Sequence, residues 1–347
     1  MKKHSAMAPS LDRYLKTPDG TLIRYRSWKT KTTSDIRPTI LILPGRATAL
    51  ETFDNVVEAL QGRGYNIWCF DWRGQGLSTR EIGRRGYIDS YETYLSDLDL
   101  FIRTFLKTDH VNRPIVVLGQ SMGGHLALRY MAENPGVISG AVLTAPMLDI
   151  ETGIYSRRAA SWLSNFMTWL GRGKSYVFQQ EKYNPVTQPF EGNMLTYNKE
   201  LFYYHRHLQI QNPDIIVGGV TYGWVKATLE SVKILNDKSF LKRINVPIKI
   251  YAADEEFVVD NNRLEKVSQW LPKCELEVIL GTRHQLLAEQ PDVLNRIYNG
   301  IDRFVMQNFK LPLMNKMPSI KKKNVTSHVP AFEKEDTSLF QAVSLEN

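Results

Sequence analysis

The sequence predicts an α/β fold, a mainly parallel central sheet with helices on both faces and a helical insertion that interrupts it. Three observations carry this. Strand-length apolar runs alternate with amphipathic helical stretches at βαβ spacing. Several of the runs, "TILILPG" at 39–45 foremost, are apolar throughout, as strands buried on both faces must be. From Met147 to Asn236 the alternation stops, and the chain reads as helical and rich in aromatic residues.

Taken in order, residues 1–15 read as a flexible N-terminus, and "GTLIRYRSW" (20–28) alternates in strand fashion. "KTKTTSDIRP" is a loop, and "TILILPG" is the first fully buried strand. "TFDNVVEALQGRG" is an amphipathic helix closed by glycine. "YNIWCFDWRGQGLS" is a second buried strand that runs into a glycine-rich turn. A helix follows over "YETYLSDLDLFIRTFLK", where Leu95, Leu98, Ile102 and Phe105 keep near-helical spacing. The strand "PIVVLG", a helix from Met122 to Glu133 and the strand "GAVLTAP" complete this half. After the insertion come the strand "VPIKIYAA", a helix around 264–270, the strand "ELEVILG" and a last helix over 292–306. The expected division is a core over 16–146 and 237–308, a helical cap over 147–236, and a tail over 309–347 in which Pro, Lys, Ser and Glu are frequent and periodicity fades.

At 347 residues the chain is long enough for one large α/β domain with an insertion, and 43% hydrophobic with 23% charged residues is a globular composition. No apolar run reaches the roughly 18 residues of a membrane-spanning helix. The N-terminal segment has lysines but no apolar stretch of a secretory signal. Cys69 and Cys274 are too few for a disulfide framework, and as free thiols they point to a reducing, cytoplasmic compartment. Part of the net charge of +8 sits in "SIKKKN" of the tail, and no basic stretch has the aromatic interleaving of a nucleic-acid module. No nucleic-acid partner is expected; most of the charge reads as general surface charge that serves solubility, and attraction to anionic lipid at the inner face of a membrane is the lesser alternative.

Chemistry enters at Gly119-Gln120-Ser121-Met122-Gly123, a G-x-S-x-G pattern placed where a strand ends and a helix begins. Glycines remove side chains that would clash at so tight a corner. The serine hydroxyl can then stand above the sheet at a helix N-terminus, whose partial positive charge favours an oxyanion. A hydroxyl needs a base, and histidine is the usual one. Of seven histidines, His4 and His328 lie in the termini and His110 precedes a strand. His125 follows the serine on its helix, where packing is the expected role, and His205 and His207 belong to the insertion. His284, in "ILGTRHQLLAEQ", follows the last strand at its C-terminal end, the edge where open α/β sheets build active sites. An acid must steady that histidine, and "YAADEEFVVDN" offers Asp254, Glu255, Glu256 and Asp260; position alone does not separate Asp254 from Glu256. The backbone amides of Met122 and Arg46 are the expected oxyanion donors.

The residues "LPGR", "DWRGQGLS", "GQSMGG", "LTAPM", "VGGVTYGW", "EEFVVDN" and "TRHQLL" fall in an order that resembles α/β-hydrolases of the monoglyceride lipase and bacterial PldB-type lysophospholipase group. The likeness covers roughly 20–308, "IVGGVTYGWV" within the insertion included. It implies the α/β-hydrolase fold and acyl-ester hydrolysis without metal or cofactor, on a lysophospholipid or similar single-chain lipid. It also implies that Glu256, three residues before Val259, is the acid, with Asp254 as the runner-up, although the group more commonly has aspartate at the Glu256 position. Monoacylglycerol lipase or general carboxylesterase activity is the alternative reaction. A catalytically silent lipid- or partner-binding member is the alternative of another class. An aminopeptidase would need acidic residues to hold the substrate amine, and the basic cap offers few.

In "SWLSNFMTWLGRG", Trp162, Phe166 and Trp169 share one helix face, flanked by Arg157, Arg158, Arg172 and Lys174. Such a stripe is most often the cap's own core. Bordered by cations, it also suits a lid over an acyl pocket or a peripheral contact with membrane.

Overall fold

The computed structural model describes residues 12–30, 37–79, 85–106, 113–150, 156–177 and 183–309. Its sheet is built from β1 (Arg13–Lys16), β2 (Leu22–Trp28), β3 (Thr39–Leu43), β4 (Asn66–Phe70), β5 (Ile115–Gln120), β6 (Gly140–Thr144), β7 (Ile248–Ala253) and β8 (Cys274–Ile279), in the order β1-β2-β4-β3-β5-β6-β7-β8. β1 and β2 are antiparallel to their neighbours; every pairing from β4 to β8 is parallel. One expectation is corrected here. The N-terminal segment is expected to be loose through residue 15, yet Arg13–Lys16 pairs with the free side of β2, where its backbone N–H and C=O groups find partners, and β1 becomes the edge strand. Residues 1–11 and most of the 309–347 tail lie outside the described residues, as does His110.

The continuous apolar runs have a direct cause. In β3, Leu41 and Leu43 enter the core on one face and Ile40 and Ile42 the core on the other, all nearly inaccessible to solvent. Each such side chain, buried, contributes about 1.5–3 kcal/mol over the exposed state. The first face is covered by α2 (Tyr91–Phe101), α3 (Met122–Glu133) and α8 (Asn261–Ser268), the second by α1 (Asp54–Gly62) and α9 (Pro291–Asn308). α2 starts at Ser90, whose hydroxyl accepts the Glu92 N–H at 3.2 Å, and runs on into a turn of π-helix over Ile102–Leu106.

Between β6 and β7 the chain leaves the sheet and forms α4 (Arg157–Trp169), α5 (Lys199–Gln211), α6 (Tyr222–Leu235) and α7 (Lys238–Leu241). α4 packs on α6, and Ser164 is its one fully buried side chain among those described. The aromatic stripe faces the other way. Trp162, Phe166 and Trp169 are 68%, 40% and 79% exposed, so they are not the core of the cap. They stack in a row instead, with ring centroids 5.4 and 6.1 Å apart.

Candidate active site

Ser121 closes β5 and caps α3 with φ +49° and ψ −115°, a left-handed conformation that costs an L-residue on the order of 1–3 kcal/mol. Its neighbours explain how the chain holds it. A Cβ on Gly123 would stand 2.0 Å from the Leu43 carbonyl oxygen, and one on Gly119 would stand 2.9 Å from Gly124 Cα. The corner therefore exists only with glycine at both places. The Ser121 carbonyl accepts the N–H of His125 at 3.1 Å and that of Met147 at 3.0 Å, so the turn is bonded from two sides.

Ser121 Oγ lies 3.0 Å from His284 Nε2. His284 Nδ1 lies 2.8 and 3.0 Å from the two carboxylate oxygens of Glu256, which fixes the ring as the Nδ1–H tautomer, with Nε2 free to accept from serine. Both side chains are nearly buried, and Glu256 Oε1 also accepts the N–H groups of Val258 and Val259 at 2.8 and 3.2 Å. The three come from the C-terminal ends of β5, β7 and β8, which only the sheet brings together.

The other acids of "DEEFVVD" have separate partners. Asp254 accepts backbone N–H groups from Glu255, Gly281 and Thr282, each at 3.0 Å, and so ties the loop after β7 to that after β8. Burial works against its charge, but those donors from Thr282, Gly281 and Glu255 hold its carboxyl below the ordinary range. Asp260 caps α8 by accepting the Arg263 N–H at 3.2 Å. Glu255 accepts the Tyr197 hydroxyl. The His284 loop has a further brace that spacing did not reveal: Glu289, fully buried, accepts the N–H of Arg283 at 2.9 Å and that of Tyr197 at 3.1 Å.

His125 packs as expected. Its ring is buried, with Nδ1 2.8 Å from the Met147 carbonyl and Nε2 2.6 Å from Ser231 Oγ. Met122 opens α3, and its N–H is one of the first-turn donors with no partner inside the helix. Arg46 follows Gly45, whose backbone lies so close to the serine that a Cβ there would be 3.4 Å from Ser121 Cβ. The Arg46 side chain turns away to the cap: Nη1 donates to the Gly218 carbonyl at 3.1 Å, Nη2 donates to that of Gly219, and the guanidinium lies 5.1 Å from the Trp224 ring. The "VGGVTYGW" stretch is thus the seat of an arginine from the core. Two residues of "DWRGQG" hold the same loop: Trp72 Nε1 donates to the Pro44 carbonyl at 2.8 Å, and Gln75 Oε1 accepts the Ala47 N–H at 2.7 Å.

Ser121 and His284 open on a cavity of about 760 Å³. Most of its wall is apolar, with Met147, Ile150, Leu163, Val220, Trp224 and Val258 prominent. No carboxylate lines it among the described residues, whereas Arg46 and Arg206 do. Among the described residues no group of His, Cys, Asp and Glu is arranged to hold a metal ion, and no helix is long and apolar enough to cross a membrane.

Comparison with known proteins follows the same line. The profile of the family described as serine aminopeptidase, S33, matches residues 34–291. The probable lysophospholipase L2 of Haemophilus influenzae is 30% identical over 277 residues, which is 78% of this chain and 85% of that protein. Lysophospholipase L2 of Escherichia coli K12 is 26% identical over 271 residues, 76% of this chain and 74% of that one. In fold, the chain superposes on a soluble variant of monoglyceride lipase from Saccharomyces cerevisiae with a TM-score of 0.72 at 18% identity, covering 88% of this chain and 98% of that one.

Proposed function

This chain belongs to the serine aminopeptidase S33 family of α/β-hydrolases, and on that footing we propose that it is a serine hydrolase of carboxylic acyl esters in single-chain lipids, a lysophospholipase in kind. The observation that carries the reading is the 3.0 Å approach of Ser121 Oγ to His284 Nε2 at the edge of a large, mostly apolar cavity. Ser121 Oγ attacks the acyl carbonyl while His284 Nε2 takes its proton. Glu256 holds the tautomer and steadies the imidazolium. The amides of Arg46 and Met122 receive the oxyanion, in a loop and a helix turn that are set before substrate arrives. His284 then returns the proton to the leaving glycerol oxygen, and water, activated the same way, releases the fatty acid from Ser121.

The wall of the cavity favours a lipid substrate. An apolar cavity of about 760 Å³ has the size to bury an acyl chain. Peptide-amine recognition needs an acid near the nucleophile, and the described wall has none, which favours lipid ester over aminopeptidase chemistry. Residues 147–236 act as the lid of this cavity, and the exposed row Trp162, Phe166 and Trp169, with Arg157, Arg158, Arg172 and Lys174 nearby, rests on the lipid surface from which substrate is drawn. Cys69 and Cys274 are unpaired, which suits a reducing, cytoplasmic setting.

A fluorophosphonate probe should label the wild-type protein and not Ser121→Ala, and the wild type should release fatty acid from lysophosphatidylethanolamine or monoacylglycerol but leave aminoacyl amides intact. Labelling of Ser121→Ala at the wild-type rate removes the nucleophile from this scheme. Cleavage of the amides alone replaces the esterase with a peptidase.

A further inference from the structure

Arg206 on α5 is 8% exposed and lines the same cavity as Ser121. Its guanidinium lies against two rings, 4.5 Å from the centroid of Phe202 and 5.4 Å from that of Tyr183. Its hydrogen bonding is incomplete. Nη1 donates to Gln209 Oε1 over a long 3.4 Å, and that oxygen already accepts the Tyr183 hydroxyl at 2.6 Å. Nε has no partner, and the charges that act on the guanidinium include no carboxylate among the described residues. A buried cation with unmet donors is costly unless something supplies an anion. Arg46, the other arginine of the wall, shares the unpartnered Nε but has both Nη groups taken by the carbonyls of Gly218 and Gly219.

The surroundings of Arg206 are polar in a cavity that is otherwise apolar. Thr48, Gln120, Gln209 and Gln285 line both the main cavity and a side chamber of about 50 Å³ that Arg206 also borders. Gln120 stands next to the nucleophile, is nearly buried, and has an Oε1 with no partner. A planar guanidinium presents parallel N–H donors that match two oxygens of a phosphate, and an unmet amide oxygen suits a glycerol hydroxyl.

We infer that Arg206 is a specificity-determining residue that binds the phosphate of a glycerophosphate headgroup, so that this hydrolase selects single-chain phospholipids over uncharged monoacylglycerols. The inference rests on reading the cavity as that of a lipid-ester hydrolase. The rings of Phe202 and Tyr183 hold the guanidinium flat, and Gln120 orients the glycerol beside Ser121.

The test compares the full chain with Arg206→Met and Arg206→Lys, each checked for folding by circular dichroism, on short-chain, monomeric lysophosphatidylglycerol and the monoacylglycerol of the same chain. The ratio of kcat/KM between the two esters should fall about tenfold in Arg206→Met, through KM for the phospholipid, whatever change the two esters share. Arg206→Lys keeps the charge without the fork and should lie between. A ratio within threefold of wild type in both variants overturns the assignment. Equilibrium binding of the two lipids in a Ser121→Ala background separates this from the parent reading. There the affinity ratio should fall likewise on Arg206→Met even if neither ester is ever cleaved, and an unmoved ratio overturns the headgroup site. Failure of the wild type to cleave either ester overturns the hydrolase reading alone.

Discussion

Gln75 and Ala47 are joined by a 2.7 Å hydrogen bond from the Ala47 N–H to the Gln75 side-chain oxygen, and Gln75 Nε2 in turn donates to the Tyr94 hydroxyl at 3.2 Å. Ala47 sits at φ +60°, which an alanine does not adopt unaided. The turn after β4 therefore sets the shape of the loop that carries the proposed Arg46 donor. Gln75→Ala should lower kcat by about tenfold with KM within a few fold, since displaced oxyanion donors act on the transition state. Steady-state kinetics on a short-chain ester measure it, and an unchanged kcat means the loop keeps its form without Gln75.

Glu256 and Asp254 are separated by what they touch, and their variants should separate too. Glu256→Gln should cost about 10³- to 10⁴-fold in kcat by loss of the tautomer-holding charge. Asp254→Asn keeps an oxygen for the Glu255 and Thr282 N–H groups but loses the charge and turns the acceptor of the Gly281 N–H into a donor, so it should lower the melting temperature by several degrees while kcat in the folded protein changes little. A larger kinetic loss in Asp254→Asn than in Glu256→Gln reverses the assignment of the acid.

His125 should make the protein acid-sensitive. Burial pushes its imidazole down from 6.5 to about 3; the Met147 carbonyl works the other way and Arg129 with the burial. In the unfolded chain this histidine takes up a proton near pH 6.5, whereas in the folded one it stays neutral to about pH 3. Its share of stability is whole above pH 6.5 and is lost as pH falls through that window, at up to about 1.4 kcal/mol per pH unit. Urea unfolding between pH 7 and pH 5 should show a steeper fall for wild type than for His125→Gln. Parallel slopes would show that His125 is not held neutral.

The exposed aromatic row should be a docking face. Vesicles containing anionic lipid should retain the protein in flotation, less so at high salt, and the triple change Trp162→Ser, Phe166→Ser, Trp169→Ser should abolish retention while hydrolysis of a monomeric ester persists. Retention unaffected by the triple change assigns the row another purpose.

Much of the scaffold is local in origin and was readable for that reason. "TILIL" is apolar at every position because β3 is buried on both faces, and "GQSMGG" needs its glycines because backbone atoms stand within about 3 Å of where side chains would be. The helix start of α3 at Met122 is legible because the glycines that its corner needs stand next to it in the chain, although the backbone that requires Gly123 is that of Leu43. The pairing of β1 with β2 was not legible, because edge pairing depends on which strand is left unpartnered, a property of the whole sheet.

The chain by itself determined the order of strands and helices, the serine at position 121, the histidine at 284 and a short list of acids. Among those acids the family likeness points to Glu256, and tertiary structure is what brings its carboxylate to the ring. Four carboxylates within seven residues, Asp254 to Asp260, differ only in direction, and the neighbours that claim three of them come from distant loops or a helix start: Gly281 and Thr282 for Asp254, Tyr197 for Glu255, Arg263 for Asp260. The same holds for the two arginines. Arg46 and Arg206 are equal cations in the sequence; packing placed both Nη groups of one against the Gly218 and Gly219 carbonyls and left the other with a single long bond to Gln209 in the cavity. A charge's partner is a matter of distance in space, and distance in space is what a one-dimensional pattern does not hold.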